Sequence, residues 1–472
     1  MDFPTRYHKH HRPTIVSEII HLTTTTTTTT IAASPILTTL TILTTTTTTS
    51  LPSPSPQLLK IIKAGEPSLI NPGAVYIRAA SLFNNKNKTS SSIIVGYAAP
   101  HPQNPRWKSL LTSISNDGGL SWQYRGQVTH TQNPFSSNQK KDRPFSQDID
   151  NSFILQLPSG RLLYAFRNHD MRRKKGSSWK PEYFRITICA SDDNGLEWFY
   201  LSQVDQNVAS VRGGEKNGIW EPFLRLGLKG EVQVYYSEEK LENRQENVMR
   251  YSHDGGKTWS EEKIIVSDGP DFWPIGWYGI SKDGMIGVTQ RGKEPGKLIA
   301  VFQSTYYRGV FSITGIESDD DGYTWRKKDR KRIYTAPNGK HAGAPQVINL
   351  GGGKALVVSF MSSEHTMQGK PADWDGWIDG GELMLIVSFD EGKTWSGNGK
   401  SQEWQMGMMT VDKGCHWPGL YALNEDEFLV LYTKDGLGGV SQRFKLVPVQ
   451  RTEKRGLGDE LSATSKIISA ST

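Results

Sequence analysis

Cysteine is nearly absent from this chain of 472 residues, which holds only Cys189 and Cys415. Two cysteines allow one disulfide at most, so a disulfide framework is excluded, and the sequence shows no clustered metal site. We accordingly expect neither a metal nor a cofactor.

Charge of one sign and long apolar runs are also lacking. The net charge is +7, but basic runs such as MRRKKGSSWK interleave with acidic stretches, which indicates a solvated surface rather than a nucleic-acid groove. The apolar stretch near the start is too interrupted by threonine for a transmembrane helix. The sequence therefore predicts no nucleic-acid partner and no firm membrane association, and we expect a monomer.

The two ends differ in composition from the middle of the chain. Residues 1–56 are rich in Thr, Ser and Pro and cannot bury a core, so we expect them to be disordered. Their basic start, followed by a weakly apolar stretch, is compatible with a degenerate secretory signal or a stalk, and we expect a secreted protein. Residues 451–472 form a polar, flexible tail, which leaves 57–450 as the folded domain.

A motif of the form S-x-D-x-G-x-[T/S/E]-W begins at residues 115, 191, 252, 318 and 388. The copy SHDGGKTW suggests a Ser-His-Asp site, but a catalytic centre is needed once, whereas a motif present five times indicates scaffold. Asp and Ser side chains bond nearby backbone groups, Gly supplies positive φ, and Trp folds back over the turn. The motif therefore predicts hairpin turns shaped by five aspartates: Asp117, Asp193, Asp254, Asp320 and Asp390.

Between these turns lies a second repeat, an apolar segment, a turn and a β-branched or aromatic segment, as in DNSFILQLPSGRLLYAFRNHD. Each copy reads as a two-stranded hairpin, and the Asp turn follows inside a second hairpin. Four strands per unit and six units predict an all-β, six-bladed β-propeller, whereas a β-sandwich does not predict this period. The sixth unit lacks the Asp turn, and a strand near residues 58–65 is expected to close the ring against it.

Alternating strand direction decides where a site can lie. The start of each first strand and the end of each second strand share the face around the central channel, while the Asp turns lie on the opposite face. Most polar residues on the channel face are more simply explained by solvation. Glu221, between Trp and Pro in GIWEPFLRL, is the exception, because a charge entering an apolar innermost strand is costly unless it is paired or functional.

Carboxylates beside aromatic side chains suggest glycoside chemistry, in which one acid protonates the leaving oxygen and another attacks or activates water. The same residues would also suit a lectin without turnover. We predict Glu221 as one catalytic carboxyl, its role unassigned, and Asp150 as an acid that tunes it or binds sugar hydroxyls. The predicted substrate-binding residues are Arg78, Asp148, Arg167, Asp170, Tyr236, Glu239, Tyr306 and Trp417.

Five longer segments carry a family resemblance: DNSFILQLPSGRLLYAFRNHD, NGIWEPFLR, VQVYYSEE…ENVMRYSHDGGKTW, DGMIGV and AGAPQV. Together with the Asp boxes, which are similar to those of sialidases, they resemble the fungal exo-α-1,5-L-arabinanases of glycoside hydrolase family 93 over residues 65–448. The resemblance implies a six-bladed propeller that releases arabinobiose from arabinan ends with retention, using two glutamates and no metal. The glutamate of the W-E-P segment corresponds to Glu221.

The family's second glutamate falls by register in IAVFQST, where this sequence has Gln303. A neutral amide cannot act as nucleophile or general base, so hydrolysis is impaired or another acid substitutes. The candidates for that acid are Glu238, Glu239 and Glu294. A sialidase, with Arg78, Arg167 and Arg185 around a carboxylate, and a non-catalytic carbohydrate-binding propeller remain the alternatives. The tryptophan-rich stretch 270–281 is either a lid or an error in the gene model.

Overall fold

The protein is a six-bladed β-propeller, as the repeats predict. The computed structural model describes residues 59–84, 87–131, 145–172, 180–209, 217–241, 244–268, 281–307, 309–364, 381–397 and 408–449. The predictions for 1–56, for 451–472 and for the tryptophan-rich stretch up to residue 280 fall outside them. Helix in the described part of the chain is limited to two short 3-10 turns, at Lys327–Asp329 and Pro337–Gly339.

The blades follow one another along the chain, each an antiparallel sheet. Two short strands, β1 (Leu59–Lys63) and β2 (Ser68–Asn71), precede them. Blade 1 holds β3 (Val75–Asn84), β4 (Asn87–His101), β5 (Asn104–Ser115) and β6 (Gln123–His130); blade 2 holds β7 (Phe145–Gln156), β8 (Leu162–Arg172), β9 (Lys180–Ser191) and β10 (Phe199–Val208). Blade 3 holds β11 (Ile219–Leu226), β12 (Val232–Leu241), β13 (Arg244–Ser252) and β14 (Ile264–Ser267); blade 4 holds β15 (Asp283–Gln290), β16 (Leu298–Ser304), β17 (Ser312–Ser318) and β18 (Lys331–Tyr334). Blade 5 holds β19 (Ala342–Leu350), β20 (Ala355–Ser362), β21 (Glu382–Ser388) and β22 (Met409–Lys413); blade 6 holds β23 (Cys415–Ala422), β24 (Glu427–Lys434) and β25 (Gly438–Pro448).

The strand near the N-terminal end of the described chain closes the ring, as predicted. Strand β1 pairs antiparallel with β25 from Leu59↔Pro448 to Lys63↔Phe444 and so becomes the fourth strand of blade 6. Because this fourth strand comes from the other end of the chain, no turn joins it to β25. The missing sixth Asp box therefore follows from the way the ring closes, which also covers the free edge of β25.

Hydrophobic clusters lie between neighbouring blades rather than in one central core. The described residues form six such clusters, one at each blade interface. Each sheet is therefore covered on both faces, which explains why a strand such as β20, ALVVSFMS, is buried along its whole length. Cys189 and Cys415 are both buried as free thiols in these clusters.

The Asp boxes are turns between the third and fourth strands. In the box that begins at Ser115, the Asp117 carboxylate accepts the backbone N–H groups of Leu120 and Ser121 at 3.0 and 2.9 Å. Ser115 Oγ donates to Asp117 Oδ1 and accepts the Gly119 N–H, both at 2.7 Å. The same Ser–Asp and Ser–Gly bonds recur in the boxes of Asp193, Asp254, Asp320 and Asp390. His253, present in one box alone, is exposed.

The innermost strands surround the propeller axis. Each contacts the innermost strand of the next blade, and β23 returns to β3. At the same place in all six there is a β-bulge. Each bulge holds one non-glycine residue at a positive φ of 53–57°: Tyr76, Asn151, Glu221, Met285, Ala344 and Trp417. We call these six residues the hub ring; such left-handed backbone is strained for residues other than Gly and Asn.

Candidate active site

Glu221 is the acidic member of the hub ring. Its Oε2 accepts the backbone N–H of Met285, the hub residue of the next blade, at 3.0 Å and the hydroxyl of Ser237 at 3.1 Å. Gly284 leaves room for the Gln245 amide, because a Cβ at that position would lie 2.4 Å from Nε2 of Gln245. Burial raises the pKa of Glu221 above its ordinary value, and these hydrogen bonds only partly oppose that effect. A raised pKa favours the protonated carboxyl, which is the form that a general acid needs.

The site lies on the face opposite the Asp boxes. On β12, Ser237 pairs with Trp220 beside Glu221, whereas Val232 at the other end pairs with Ser252 of the box. Five residues of strand span about 17 Å, so the two features lie at opposite ends of the blade.

Trp220, next to Glu221, is held by blade 2. The His169 ring packs edge-on against it with centroids 4.6 Å apart, and the Arg167 guanidinium lies 5.2 Å above it. Burial, and then the charge of Arg167, lower the pKa of His169 to about 3. The imidazole is therefore neutral and donates from Nε2 to the Ile219 carbonyl at 2.8 Å. His169 thus positions the indole through packing rather than charge.

Asp148 and Asp150 form an ion-pair cluster beside this indole. Arg167 Nη2 lies 3.0 Å from Asp148, and Lys108 Nζ lies 2.7 Å from Asp150. Desolvation opposes ionisation of Asp148, but the charges of Arg167 and Lys108 prevail and lower its pKa. Both aspartates are paired with cations, which lowers their basicity and disfavours either as a general base.

Arg78 lies in the hub with its guanidinium 4.1 Å from the centroid of the Tyr76 ring. The residue is only 3% exposed, and its Nη1 donates to the carbonyls of Ile77 and Trp417 at 2.8 and 3.3 Å. Its Nε and Nη2 are buried without a hydrogen-bond partner among the described residues. Buried, unpartnered donors of this kind are what a polar ligand or water would occupy.

Gln303 occupies the position in blade 4 that Ser237 occupies in blade 3. Each pairs with the residue that precedes the hub residue of its own blade. The Oε1 atom of Gln303 accepts the backbone N–H of Ala344 at 2.9 Å, just as Oε2 of Glu221 accepts that of Met285. Gln303 therefore has a structural role in capping the next bulge, through the same type of accepted hydrogen bond that Glu221 makes.

A cavity of about 510 Å³ opens beside Trp220. Its lining combines five apolar residues with four polar ones: the residues are Asp148, His169, Met171, Lys180, Pro181, Phe184, Ala209, Trp220 and Glu239. Glu239 also borders a second, charged cavity of about 540 Å³ on blade 3. Apolar walls with few polar groups are typical of small-ligand sites.

Several predicted site residues lie elsewhere or are already engaged. The prediction for Tyr236 is wrong: the residue is fully buried at the interface of blades 2 and 3, and its hydroxyl donates to Asp205 at 2.7 Å. Strand alternation explains this, since the adjacent Ser237 faces the hub. Asp170 is paired with Arg185 at 2.5 Å.

The remaining predicted residues lie near the hub, whereas the substitute acids Glu238 and Glu294 are paired with cations or lie far from it. Tyr306 lies on the rim under the Arg330 guanidinium, and Trp417 belongs to the hub ring. Of the substitute acids, Glu238 is paired with Lys240 and Lys263, and Glu294 is exposed in the β15–β16 turn beside an Asp box.

Sequence reasoning missed three contributors to the site: Tyr76, Ser237 and Met285. Met285 contributes a backbone N–H, which no side-chain pattern reveals. Tyr76 and Met285 share with Glu221 only their offset from the start of an innermost strand. An alignment of the six repeats by this offset would have placed Tyr76, Glu221 and Met285 in one column.

No metal cluster is found among the described residues, where no group of three or more His, Cys, Asp or Glu side chains converges as metal ligands would. Nor does the described part of the chain contain a helix of the length and apolarity that a bilayer crossing requires.

Together, the blades, the Asp boxes and the hub ring define an Asp-box β-propeller. A family model for the BNR repeat-like domain matches residues 109–399. The chain belongs to this family of BNR repeat-like domains.

Solved structures share the fold at low sequence identity. An α-L-arabinanase of Penicillium chrysogenum complexed with arabinobiose is 16% identical, with a TM-score of 0.51 over 83% of this chain and 97% of that one. A family 93 α-L-arabinofuranosidase of Fusarium graminearum, also with arabinobiose, is 16% identical, with a TM-score of 0.50 over 82% and 97%. A protein of unknown function from Dyadobacter fermentans is 14% identical, with a TM-score of 0.54 over 82% and 100%. No curated protein matches the chain.

Proposed function

We propose that this protein is an exo-acting glycoside hydrolase of arabinan-type oligosaccharides and that Glu221 is its general acid. The observation that carries the proposal is the state of Glu221: a carboxyl held in a strained hub bulge, with its pKa raised by burial, and next in the chain to Trp220, which lines the cavity. An acid of this kind can protonate a glycosidic oxygen, which is the step that both classes of glycosidase share.

The substrate class rests on the solved relatives and on the cleft. Two of the similar structures hold arabinobiose. In this chain, Trp220 and Phe184 offer apolar surface to a sugar ring, and Asp148 and Glu239 offer acceptors to its hydroxyls. Arabinan is a polymer outside the cell, so the proposal includes export of the protein, with the N-terminal segment as its signal.

Gln303 limits the reaction that this site can perform. A retaining mechanism needs a carboxylate to form the glycosyl-enzyme bond, and the amide at this position cannot supply it. We therefore expect turnover to be slow compared with an enzyme that has a glutamate there.

A second candidate function is sugar binding without turnover, which the amide of Gln303 specifically favours. A sialidase is disfavoured, because Arg167 and Arg185 are already paired with Asp148 and Asp170. Among the described residues, Arg78 keeps two buried guanidinium nitrogens without a partner, Nε and Nη2, whereas Arg167 keeps only Nε.

The test is hydrolysis of linear α-1,5-arabinan and of arabino-oligosaccharides, with sialyl-lactose as the control substrate. The variant Glu221→Gln keeps the shape of the side chain and removes its proton-donor chemistry, so we expect kcat to fall by about 100-fold or more. The control variant is Glu294→Gln, on the opposite face, which should retain full activity. Calorimetric binding of arabinobiose with no turnover by the wild type would instead establish the sugar-binding function.

A further inference from the structure

Asn247 is a buried polar residue at a position that has no polar side chain in the other five blades. It lies on β13, where it pairs with Ser237 of β12 on one side and with Ser267 of β14 on the other. Pairing outward from the residue before the hub residue leads in the other blades to Leu110, Ile186, Ile313, Leu383 and Gly439. A buried amide is costly unless hydrogen bonds compensate it, so its presence in the blade of Glu221 points to a role there.

Three buried polar side chains connect Glu221 to the outermost strand of blade 3. Ser237 Oγ lies 3.1 Å from Glu221 Oε2 and 3.3 Å from Asn247 Oδ1. On its other side, Asn247 donates from Nδ2 to Ser267 Oγ at 2.9 Å. Ser237, Asn247 and Ser267 are all fully buried. The bond to Ser267 therefore holds the amide of Asn247 with its oxygen toward Ser237.

The Ser237 hydroxyl has one proton and two acceptors within reach. Its oxygen also accepts the Met285 N–H at 3.3 Å, so its proton goes either to Glu221 or to Asn247. An ionised Glu221 is the stronger acceptor, because a hydrogen bond to a charged group is about twice as strong as a neutral one. A protonated Glu221 loses this advantage, and the hydroxyl then donates to Asn247 Oδ1.

We infer that Asn247 is a positioning residue that, through Ser237, gives Glu221 two hydrogen-bonded protonation states. When Glu221 is ionised, Ser237 donates to the carboxylate. When Glu221 is protonated, Ser237 donates to Asn247, so the buried hydroxyl is satisfied in both states. Resting on the proposed function, this is what a general acid requires, because Glu221 holds its proton before the glycosidic bond breaks and is ionised once that proton has passed to the departing oxygen.

Other charges also act on Glu221, and substitutions of Ser237 or Asn247 leave them in place. Burial raises the pKa of Glu221 most; the charge of Arg167 opposes this effect and that of Glu239 adds to it. The strands packed against β11 carry Asp150, paired with Lys108, and Asp283, paired with Arg330. Arg185 of β9 is paired with Asp170, and Arg78 of β3 also interacts electrostatically with Glu221. A change confined to this row of side chains therefore tests the row itself.

The experiment follows the titration of the Glu221 carboxyl by carbon-13 NMR, in protein labelled at the glutamate carboxyl carbon. The variant Glu221→Gln identifies the signal. Asn247→Leu keeps a similar side-chain volume but leaves Ser237 with Glu221 as its only acceptor, which favours the ionised form. We expect the midpoint of the titration to fall by about one pH unit, which corresponds to one neutral hydrogen bond.

Ser237→Ala removes the donor to the carboxylate, so it should move the midpoint the other way, up by about one pH unit. In the Ser237→Ala background, Asn247→Leu should cause no further change, because Asn247 acts through Ser237. The matched control is Ser359→Ala, which removes a fully buried hydroxyl from β20 of blade 5 and should leave the midpoint as in the wild type.

Two results overturn the inference. One is an unchanged or higher midpoint in a folded Asn247→Leu protein; the other is an equal fall in the Ser237→Ala background, which would show that Asn247 acts on Glu221 directly. If Asn247→Leu does not fold, Asn247→Val removes the same oxygen with a side chain suited to a strand and must give the same fall.

These titrations need no substrate, so the inference and the proposed function fail separately. A wild type without turnover refutes the proposed function, while the NMR midpoints still decide the role of Asn247. In an active enzyme, the basic limb of the pH–rate profile should move with the midpoint, to lower pH in Asn247→Leu and to higher pH in Ser237→Ala.

Discussion

Replacing Gln303 with glutamate should raise the rate of hydrolysis. The side chain already has the required geometry, because its Oε1 accepts the Ala344 N–H at 2.9 Å. A carboxylate oxygen in the same place would keep this bond and make it charge-assisted, about twice as strong as the neutral one. We therefore expect the variant Gln303→Glu to fold as the wild type does.

The gain comes from adding a nucleophile to a site that already has an acid. Proton-transfer and nucleophilic groups each contribute about 10²–10⁴ in rate, so a gain of at least 100-fold in kcat/KM is expected. This corresponds to about 2.7 kcal/mol of transition-state stabilisation. The new carboxylate would attack the anomeric carbon itself, so the first product of the variant should be the retained anomer.

The assay is initial-rate hydrolysis of arabino-oligosaccharides, with the anomer followed by NMR. Gln123→Glu, on the exposed outermost strand of blade 1, adds the same charge far from the hub and serves as the control. A Gln303→Glu protein that folds and binds arabinobiose without faster hydrolysis would refute the assignment of this position as the site of a lost nucleophile.

Two further predictions concern stability. Desolvation raises the pKa of Asp254, but hydrogen bonds from Thr258, Ser252 and backbone amides outweigh this effect and lower the pKa to about 2. The stabilisation that Asp254 gives to the folded protein is therefore present above its unfolded-state pKa of about 4 and is lost as the pH falls through its folded-state pKa. The variant Asp254→Ala should therefore lower the melting temperature by about 1–2 °C at pH 7, a small effect because solvent screens this exposed turn, and by less at pH 3. An equal loss of melting temperature at both pH values would contradict the pKa argument. Deleting residues 1–57 should leave the melting temperature unchanged. Deleting residues 1–66 removes β1 with the buried Ile61, so it should lower the melting temperature by several degrees. If calorimetry finds equal melting temperatures for the two deletions, β1 is excluded as the closing strand.

The candidate site was only partly predictable from the sequence. Glu221 stood out because an isolated charge in an apolar strand is costly, and this argument needs no knowledge of its neighbours. Its partners were not predictable, because the Met285 N–H comes from the next blade and the Ser237 hydroxyl from the next strand. The wrong prediction for Tyr236 came from counting residues from a predicted strand end. Such counting fails when it is off by one residue, because a shift of one residue moves a side chain from the hub to a blade interface.

The sequence by itself determined the propeller, the five Asp turns and the closing strand, because turn chemistry and strand periodicity are local properties that recur in each repeat. The hub ring was decided only by the tertiary structure. Its bulges bring together residues from six blades, and the backbone there takes a left-handed conformation that Tyr76, Met285 and Trp417 do not favour on their own. Contacts between neighbouring blades, such as that from the Met285 N–H to Glu221, support that geometry, and they exist only in the folded tertiary structure.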